Sequence, residues 1–591
     1  MTAMTRTRRW RGLVATGLPL APILTILTLL FLIPVVILLS RSVIMPDGEW
    51  SLAHFNRLFQ SGAYVQSLKL TLRISAWTAL LSVALGYPLA MVIARSGRSL
   101  AGMMLLCVLV PYWAGVLVRT FAWMVLLGRT GAINSALISA GITDAPVQLI
   151  YNFAGVMIGM VNAYMPLAVL IMMSVMQSID GRLLRAASTL GAGTSQSFWR
   201  VYFPLSLPGV AAALLLVFIS ALGTFITPGL LGSGREVMIA QVIIDQVEQL
   251  LNWGFAGAVA CLLLAAALVI FALFNQLFGM SALVGRAGGP RRTVLARAGG
   301  RIGSVVIAGL GNAGDRVETA IERLGFGRRA ATPGRLHPGL AIAAALMLCF
   351  LVAPMLFIVP VSFTGGSFIE WPPKGFSTKW YDLVLSSDQW LRAALRSVLV
   401  GALAAVASIA IGLPAAIALT RRRFFGQQAV LGFILAPMIV PHILIAVSLF
   451  FVYARVGLIG TDLGLVLGHT VICLPYTVIT LTAVLAGYDT RLDQAAETLG
   501  AGLWARVRLI TLPLIRPGLV AAFLIAFVTS FEELTIAMFV TGGLSATLPK
   551  QLWADMLMAV SPSLAAVSTL MLAVVTVVVV IAQIVRGRAR P

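Results

Sequence analysis

Apolar side chains fall in long continuous blocks along this chain, the first from Leu18 to Leu39 and the last from Ala565 to Val585. A block of about 20 apolar residues is what a helix needs to cross a bilayer core of about 30 Å. Twelve such spans are expected, near 18–40, 66–95, 100–127, 151–177, 209–231, 253–279, 338–362, 392–420, 427–452, 464–487, 518–541 and 563–585. The first block follows a basic stretch, as in a signal peptide. It is too long for one and no A-x-A site follows, so it reads as a retained span.

Composition agrees: 60% of residues are hydrophobic, 10% are charged, and mean hydropathy is +0.99. The net charge of +22 is no nucleic-acid footprint, because the arginines cluster between spans. Arg6, Arg8, Arg9 and Arg11 precede the first span, Arg421, Arg422 and Arg423 follow the eighth, and Arg586, Arg588 and Arg590 follow the last. Basic flanks stay on the cytoplasmic side during insertion. Six spans return the chain to its starting side, so both termini and the middle linker are expected in the cytoplasm. That linker, 280–336, has ten Arg against Asp315, Glu318 and Glu322, with a short helix expected over Asp315–Leu324. It reads as a basic tether against anionic headgroups. Cys107, Cys261, Cys349 and Cys473 lie in apolar runs, and His54, His337, His442 and His469 are scattered, so neither set suggests a metal site.

A repeat search shows two tandem halves. Pro88 and Pro111 recur as Pro414 and Pro437 at an offset of 326, while Pro166, Gly191, Pro204 and Pro208-Gly209 recur as Pro475, Gly500, Pro513 and Pro517-Gly518 at an offset of 309. The change of offset places an insertion in the first half around 128–150. An even number of spans per repeat gives both halves one orientation, hence a pseudo-two-fold along the membrane normal with a path at the interface. The expected fold is an all-α polytopic membrane protein of about twelve transmembrane helices in two tandem repeats. It divides into an N-terminus with first span and outer loop (1–65), a first core (66–279), the linker (280–336), a seventh span with outer loop (337–391), a second core (392–585) and a tail (586–591).

Two polar loops of about 30 residues, Ile179–Val210 and Tyr488–Leu519, repeat one pattern. Each has two small residues and a Leu, then Gly: Ala186, Ala187, Leu190 and Gly191, matched by Ala495, Ala496, Leu499 and Gly500. Such a helix offers a shallow face to a partner, and the Gly can end it in a left-handed cap. A Pro follows thirteen residues after each Gly, at Pro204 and Pro513, and Pro208 and Pro517 fit the first turn of the next span. Two copies with one Gly-to-Pro interval favour docking on a partner that is itself two-fold.

These loops resemble the Glu-Ala-Ala-x-x-x-Gly-x9-Ile-x-Leu-Pro signature of ABC-importer permeases, the membrane subunits of binding-protein-dependent transporters. The second copy matches at Ala495, Ala496, Gly500, Ile510, Leu512 and Pro513. The first matches at Ala186, Ala187, Gly191 and Pro204, with Val201 and Phe203 in the Ile and Leu places. Arg185 and Gln494 stand where the leading Glu would be. The resemblance implies a type I importer pore in the bacterial inner membrane, with the loops as coupling helices seated on two ABC ATPase subunits. It also implies a periplasmic solute-binding protein that delivers a small-molecule substrate. No G-x-x-x-x-G-K-[ST] loop occurs, so the chain is expected to be no enzyme and to bind no cofactor, ATP and Mg belonging to the partner ATPase. Outward segments, among them Phe225–Ser233, Met238–Trp253, Trp371–Val384, Ser530–Phe539 and Thr547–Met556, resemble the two separate permease subunits of spermidine/putrescine-type importers. Ferric-iron, thiamine and aminoethylphosphonate systems share much of this pattern.

For a substrate path, Glu532 and Glu533 stand out near the middle of the eleventh span, where an acid costs about 2.5–3.5 kcal/mol unless it faces a bundle interior or water. Neighbouring helical positions point about 100° apart, so one of the two can aim at a central path. It would attract a substrate amine; alternatively it is hydrogen-bonded across helices. Gly223 and Thr224 hold the equivalent places in the first half. Asp245 and Asp555 are weaker candidates at the outer edge, and Trp253, Trp371 and Trp553 read as interfacial anchors. The rival class, an ion-coupled secondary transporter, would carry acids through several spans, whereas these spans read as nearly free of charge except at Glu532 and Glu533.

Overall fold

The computed structural model describes residues 18–45, 47–277, 309, 338–421, 424–542 and 545–588. The linker 280–336 apart from Gly309, the arginines before Leu18, and Arg422, Arg423 and Arg590 lie outside the described residues. Among the described residues eleven helices are long and apolar enough to cross a membrane, and a bent pair, taken as one span, makes a twelfth. Among the described residues the backbone is otherwise loop and short helix, apart from isolated bridges Ile44–Trp50 and Thr364–Phe376 in the loops after the first and seventh spans.

Four of the expected spans are interrupted rather than continuous. The third is two helices, Arg98–Trp113 and Val116–Leu127. It breaks at Gly115, whose φ of +50° no helix interior holds. The ninth is Gln427–Ile439 and His442–Val456, bent by 92° at Pro441, which has no N–H to continue the ladder. Gly115 and Pro441 are 326 apart, so both halves break at one place by different means.

The fifth and eleventh spans start earlier than expected, running Ser197–Leu222 and Trp504–Phe531. Wide π-helical turns at Ser197–Tyr202 and Val507–Thr511 carry the helix into Pro204 and Pro513, where a regular turn would lack a donor. Pro208 and Pro517 are consequently helix-interior residues, not first-turn ones. Each helix then stops, at Gly223 and at Glu532, and a short helix resumes at Ile226–Leu231 or Thr535–Val540.

In each half the second, fourth and fifth spans pack as a triad, Gly62–Arg95 with Phe153–Met176 and Ser197–Leu222, and likewise Asp388–Arg421 with Asp462–Ala486 and Trp504–Phe531. Leu18–Ser40 packs on His442–Val456 of the other half, and Pro338–Ser362 packs on Gly62–Arg95 and on both pieces of the third span. Each half thus lends its leading span to the other. Asn162 seals one such contact, its Nδ2 donating to the Phe350 carbonyl at 2.8 Å. The insertion near 128–150 receives the loop of the seventh span. Trp371 N–H donates to the Thr130 carbonyl at 3.0 Å and Ser135 Oγ to the Trp371 carbonyl at 3.1 Å.

Candidate functional site

At the chain-terminus end of the bundle, the paired loops form helices Gly181–Thr189 and Arg491–Thr498. Asp180 and Asp489 start them alike, each accepting the N–H two residues on at 2.9 Å. Gly191 and Gly500 stop them alike, at φ +86° and +84°, where a side chain would be strained. A bond from Ala192 N–H to the Ala187 carbonyl, or from Ala501 N–H to Ala496, closes each Schellman turn. Inward faces carry Leu184 and Ala187 in one copy and Asp493 and Ala496 in the other. Outward faces carry exposed Ala186 or Ala495 between exposed leucines: Leu183 (48%) and Leu190 (88%), then Leu492 (45%) and Leu499 (87%). Arg185 and Gln494 are also exposed on this side. Two identical apolar knobs in solvent are what a partner, not the bundle, would cover.

Four helix breaks meet where the halves join. A Cβ at Gly223 would lie 2.7 Å from Pro441 Cβ, and one at Gly115 would run into the Glu532 carboxylate. These contacts are equivalents under the pseudo-two-fold. Glu532 and Glu533 therefore sit at a chain break, not on the continuous helix expected, and their roles separate. Glu533 is buried and caps the resuming helix, accepting Ile536 N–H at 2.8 Å and Ala537 N–H at 3.2 Å. Its Oε2 lies 3.7 Å from His469 Nε2, and His469 Nδ1 is 2.7 Å from Ser530 Oγ. Glu532 is half-buried, and its Oε1 has no hydrogen-bond partner among the described residues.

The spans also hold a charge that the sequence reading overlooked. Arg119, 4% exposed, donates from Nε to the Gly115 carbonyl at 3.2 Å and from Nη1 to the Ala163 carbonyl at 2.8 Å. Its charge acts on Glu532, Tyr112 and Tyr164. Tyr164 reaches the Ser220 carbonyl at 3.2 Å, beside the first-half break. A lone Arg inside an apolar block was the available signal. His469, set aside as scattered, belongs to the same junction. This polar lining is one-sided, since Ile445, Cys473 and Met160 hold the positions equivalent to Arg119, Tyr164 and His469.

Asp245 and Asp555 are not brought to this junction. They lie at the opposite end of the bundle from the paired loops, on helices Ile239–Glu248 and Leu548–Met558, each accepting from a Gln four residues earlier, Gln241 or Gln551, at 2.8 Å. Burial pushes the Asp555 carboxyl up, against the Gln551 hydrogen bond. Hydroxyls from the long helices hold both N-termini: Thr71 Oγ1 accepts Ile239 N–H at 2.8 Å and Ser397 Oγ accepts Leu548 N–H at 2.7 Å. The tryptophans join the halves rather than anchor to an interface. Trp553 packs edge-on to Phe225 at 5.6 Å, and Trp253 lies 5.5 Å from Phe450 and 5.0 Å from Phe451. Trp371 packs on Phe357 at 4.4 Å and bonds to Thr130.

Comparison with known proteins follows the same two halves. The model of the binding-protein-dependent transport system inner membrane component matches residues 86–279 and again 408–591. The spermidine/putrescine transport system permease protein PotB of Haemophilus influenzae is 32% identical over 251 residues, 41% of this chain and 87% of that protein. PotC of Escherichia coli K12 is 34% identical over 253 residues, 43% of this chain and 94% of that protein. Among solved structures, a bacterial alginate ABC transporter in complex with a pentasaccharide-bound periplasmic protein aligns at 22% identity. That match has a TM-score of 0.41 and covers 48% of this chain and all of that one.

Proposed function

The chain belongs to the family of binding-protein-dependent transport inner membrane components, twice over in one polypeptide, and from that premise we propose that it is the complete translocation pore of an ATP-driven polyamine importer. The observation that supports a cationic substrate is Glu532, a carboxylate with an unpartnered oxygen at the junction of four helix breaks. Broken helices at a repeat interface are where transporters place substrate, because backbone groups freed there line a cavity rather than lipid. The relatives named for spermidine and putrescine agree with that charge.

On this reading Gly181–Thr189 and Arg491–Thr498 are coupling helices, each seated on one of two ABC ATPase subunits through Leu190 or Leu499 and the flanking alanines. ATP and Mg are bound by those subunits. A periplasmic solute-binding protein delivers substrate to the opposite end, where Asp245 and Asp555 lie, and both termini are cytoplasmic. ATP-driven closure of the ATPases moves the coupling helices, and the fifth and eleventh spans, continuous from each loop to Gly223 and Glu532, carry the movement to the junction. Arg119 beside Glu532 supports a second substrate reading: a zwitterion such as aminoethylphosphonate would satisfy both charges.

The test is uptake into proteoliposomes holding this chain, its ATPase and its binding protein, with radiolabelled spermidine and Gly500→Asp beside wild type. ATP-dependent uptake that Gly500→Asp abolishes, with folding intact, is the expected result. Uptake driven by a proton gradient without the ATPase would overturn the importer reading. Loss of spermidine uptake alone, with ATPase stimulation by aminoethylphosphonate-loaded binding protein, would transfer the site to the zwitterion.

A further inference from the structure

The two coupling helices share a backbone but are fastened to their spans by different chemistry. In the second half, Asp493 is 7% exposed and points inward. Arg421, the last residue of the eighth span, brings a guanidinium nitrogen to 2.7 Å from its Oδ2. Tyr488 Oη donates to Asp493 Oδ1 at 2.9 Å and Thr511 Oγ1 to the same oxygen at 3.3 Å. The Arg421 guanidinium also lies 5.2 Å over the Tyr488 ring. One carboxylate thus joins the eighth span, both ends of the coupling loop and the π-helical turn that opens the eleventh span. On the outer side of the same loop, Arg506 pairs with Glu497 at 2.7 Å.

Of these groups only the arginine that ends the span recurs in the first half. Arg95 stands at the place of Arg421, but Leu184 replaces Asp493, Ile179 replaces Tyr488, Tyr202 replaces Thr511, and Ser188 replaces Glu497. Leu184, Ile179 and Phe198 pack instead into the apolar core. An aromatic group surrounds them, with Tyr87 5.8 Å from Phe203 and Phe198 4.9 Å from Trp199, and with Tyr87 Oη 2.9 Å from Ser206 Oγ. Apolar contact is non-directional and tolerates a shift of the helix along its seat. A buried, multiply bonded carboxylate does not, because moving one partner leaves a charge unpaired.

We infer that Arg421 and Asp493 form a latch that makes the second coupling helix a rigid extension of the eighth span, a fastening that the first coupling helix, seated through Leu184 on its aromatic neighbours, does not share. The two ATPases then act on the pore unequally, the second half receiving their movement directly and the first half following through the junction. Arg421 and Asp493 are positioning residues in this scheme, since neither side chain forms the outward docking face. The inference rests on the coupling-helix assignment above.

The experiment uses the full chain with its ATPase and binding protein in proteoliposomes, reading spermidine uptake, ATP hydrolysed per substrate and ATPase co-purification. Arg421→Met keeps the aliphatic stem and removes the charge. It is expected to raise ATP hydrolysed per substrate at least tenfold with the ATPase still bound. The reversed pair, Arg421→Asp with Asp493→Arg, is expected to recover coupling to within about threefold of wild type. Arg95→Met, the equivalent change in the first half, is expected to alter the ratio by less than twofold. Tyr488→Phe, which loses one bond and leaves the ion pair, supplies a milder variant, with a two- to fivefold rise expected. Unchanged coupling in both Arg421→Met and Tyr488→Phe, or equal losses in Arg421→Met and Arg95→Met, would overturn the latch. Leu499→Asp separates the two readings: if it leaves ATPase capture intact, the docking assignment fails, whatever Arg421 does.

Discussion

Gly518 is where the helix leaving the second of the paired loops crosses the helix entering it, and substituting it tests that packing. A methyl group at Gly518 would stand 2.5 Å from both Val484 methyls and 3.0 Å from Val484 Cβ. Rotating Val484 about χ1 moves one methyl away but leaves Cβ and the other in place, so the helices must separate. Forcing a methyl into such a contact costs about 1–3 kcal/mol. The first-half equivalent is looser, with Val175 Cβ at 2.9 Å and one methyl at 3.1 Å from a Cβ at Gly209. Gly518→Ala should therefore lower the thermal unfolding midpoint of purified protein by about 1–2 °C, and Gly209→Ala by less. Val484→Ala removes both obstructing methyls and leaves only Cβ at 3.0 Å, so adding Gly518→Ala to Val484→Ala should lower the midpoint by less than Gly518→Ala does alone. Differential scanning fluorimetry on the tryptophans in detergent reads the four variants beside wild type. Equal melting of Gly518→Ala and wild type, or no rescue by Val484→Ala, would refute the close-crossing argument.

Two further outcomes follow from the roles of the paired acids and the exposed leucines. Glu533→Ala removes a helix cap and should cost about 1 kcal/mol of stability. Glu532→Gln should leave the melting midpoint unchanged and reduce spermidine uptake, and the paired melting and uptake measurements separate the two acids. Leu499→Asp and Leu190→Asp change side chains that are 87% and 88% exposed. They should shift stability by no more than about 0.5 kcal/mol while abolishing co-purification of the ATPase.

The spans and the duplication are legible in the sequence because each rests on a local signal, a 20-residue apolar run or a recurring Pro and Gly. The left-handed ends at Gly191 and Gly500 are legible for the same reason. The breaks are not. Apolar residues continue through Ala114–Gly115 and Val440–Pro441, so hydropathy gives one block where the chain makes two helices. A repeat search on identical residues passes over a position held by Gly in one half and Pro in the other. Glu532 and Glu533 were visible as intramembrane acids, but their division of labour depends on the break between them, which turns Glu533 into a cap. Arg119 disappeared inside the block that hides Gly115. The exchange of the first and seventh spans, and the burial of Trp553 against Phe225, arise from long-range packing and have no local signature.

The distribution of symmetry in this chain has a physical logic. A surface that meets a two-fold partner would itself be two-fold, and the outward leucines, the left-handed glycines and the Asp starts of the paired loop helices are identical in both halves. A single solute on the pseudo-two-fold axis is under no such constraint. A symmetric ring of acids there would also place like charges close together in a low dielectric, at a cost that rises steeply as separation falls. Because the two halves differ in sequence, each polar group can be present once. The junction accordingly has one Arg119, one Tyr164, one His469 and one Glu532. Arg119 acts on Glu532 across this junction, so one base faces one acid there.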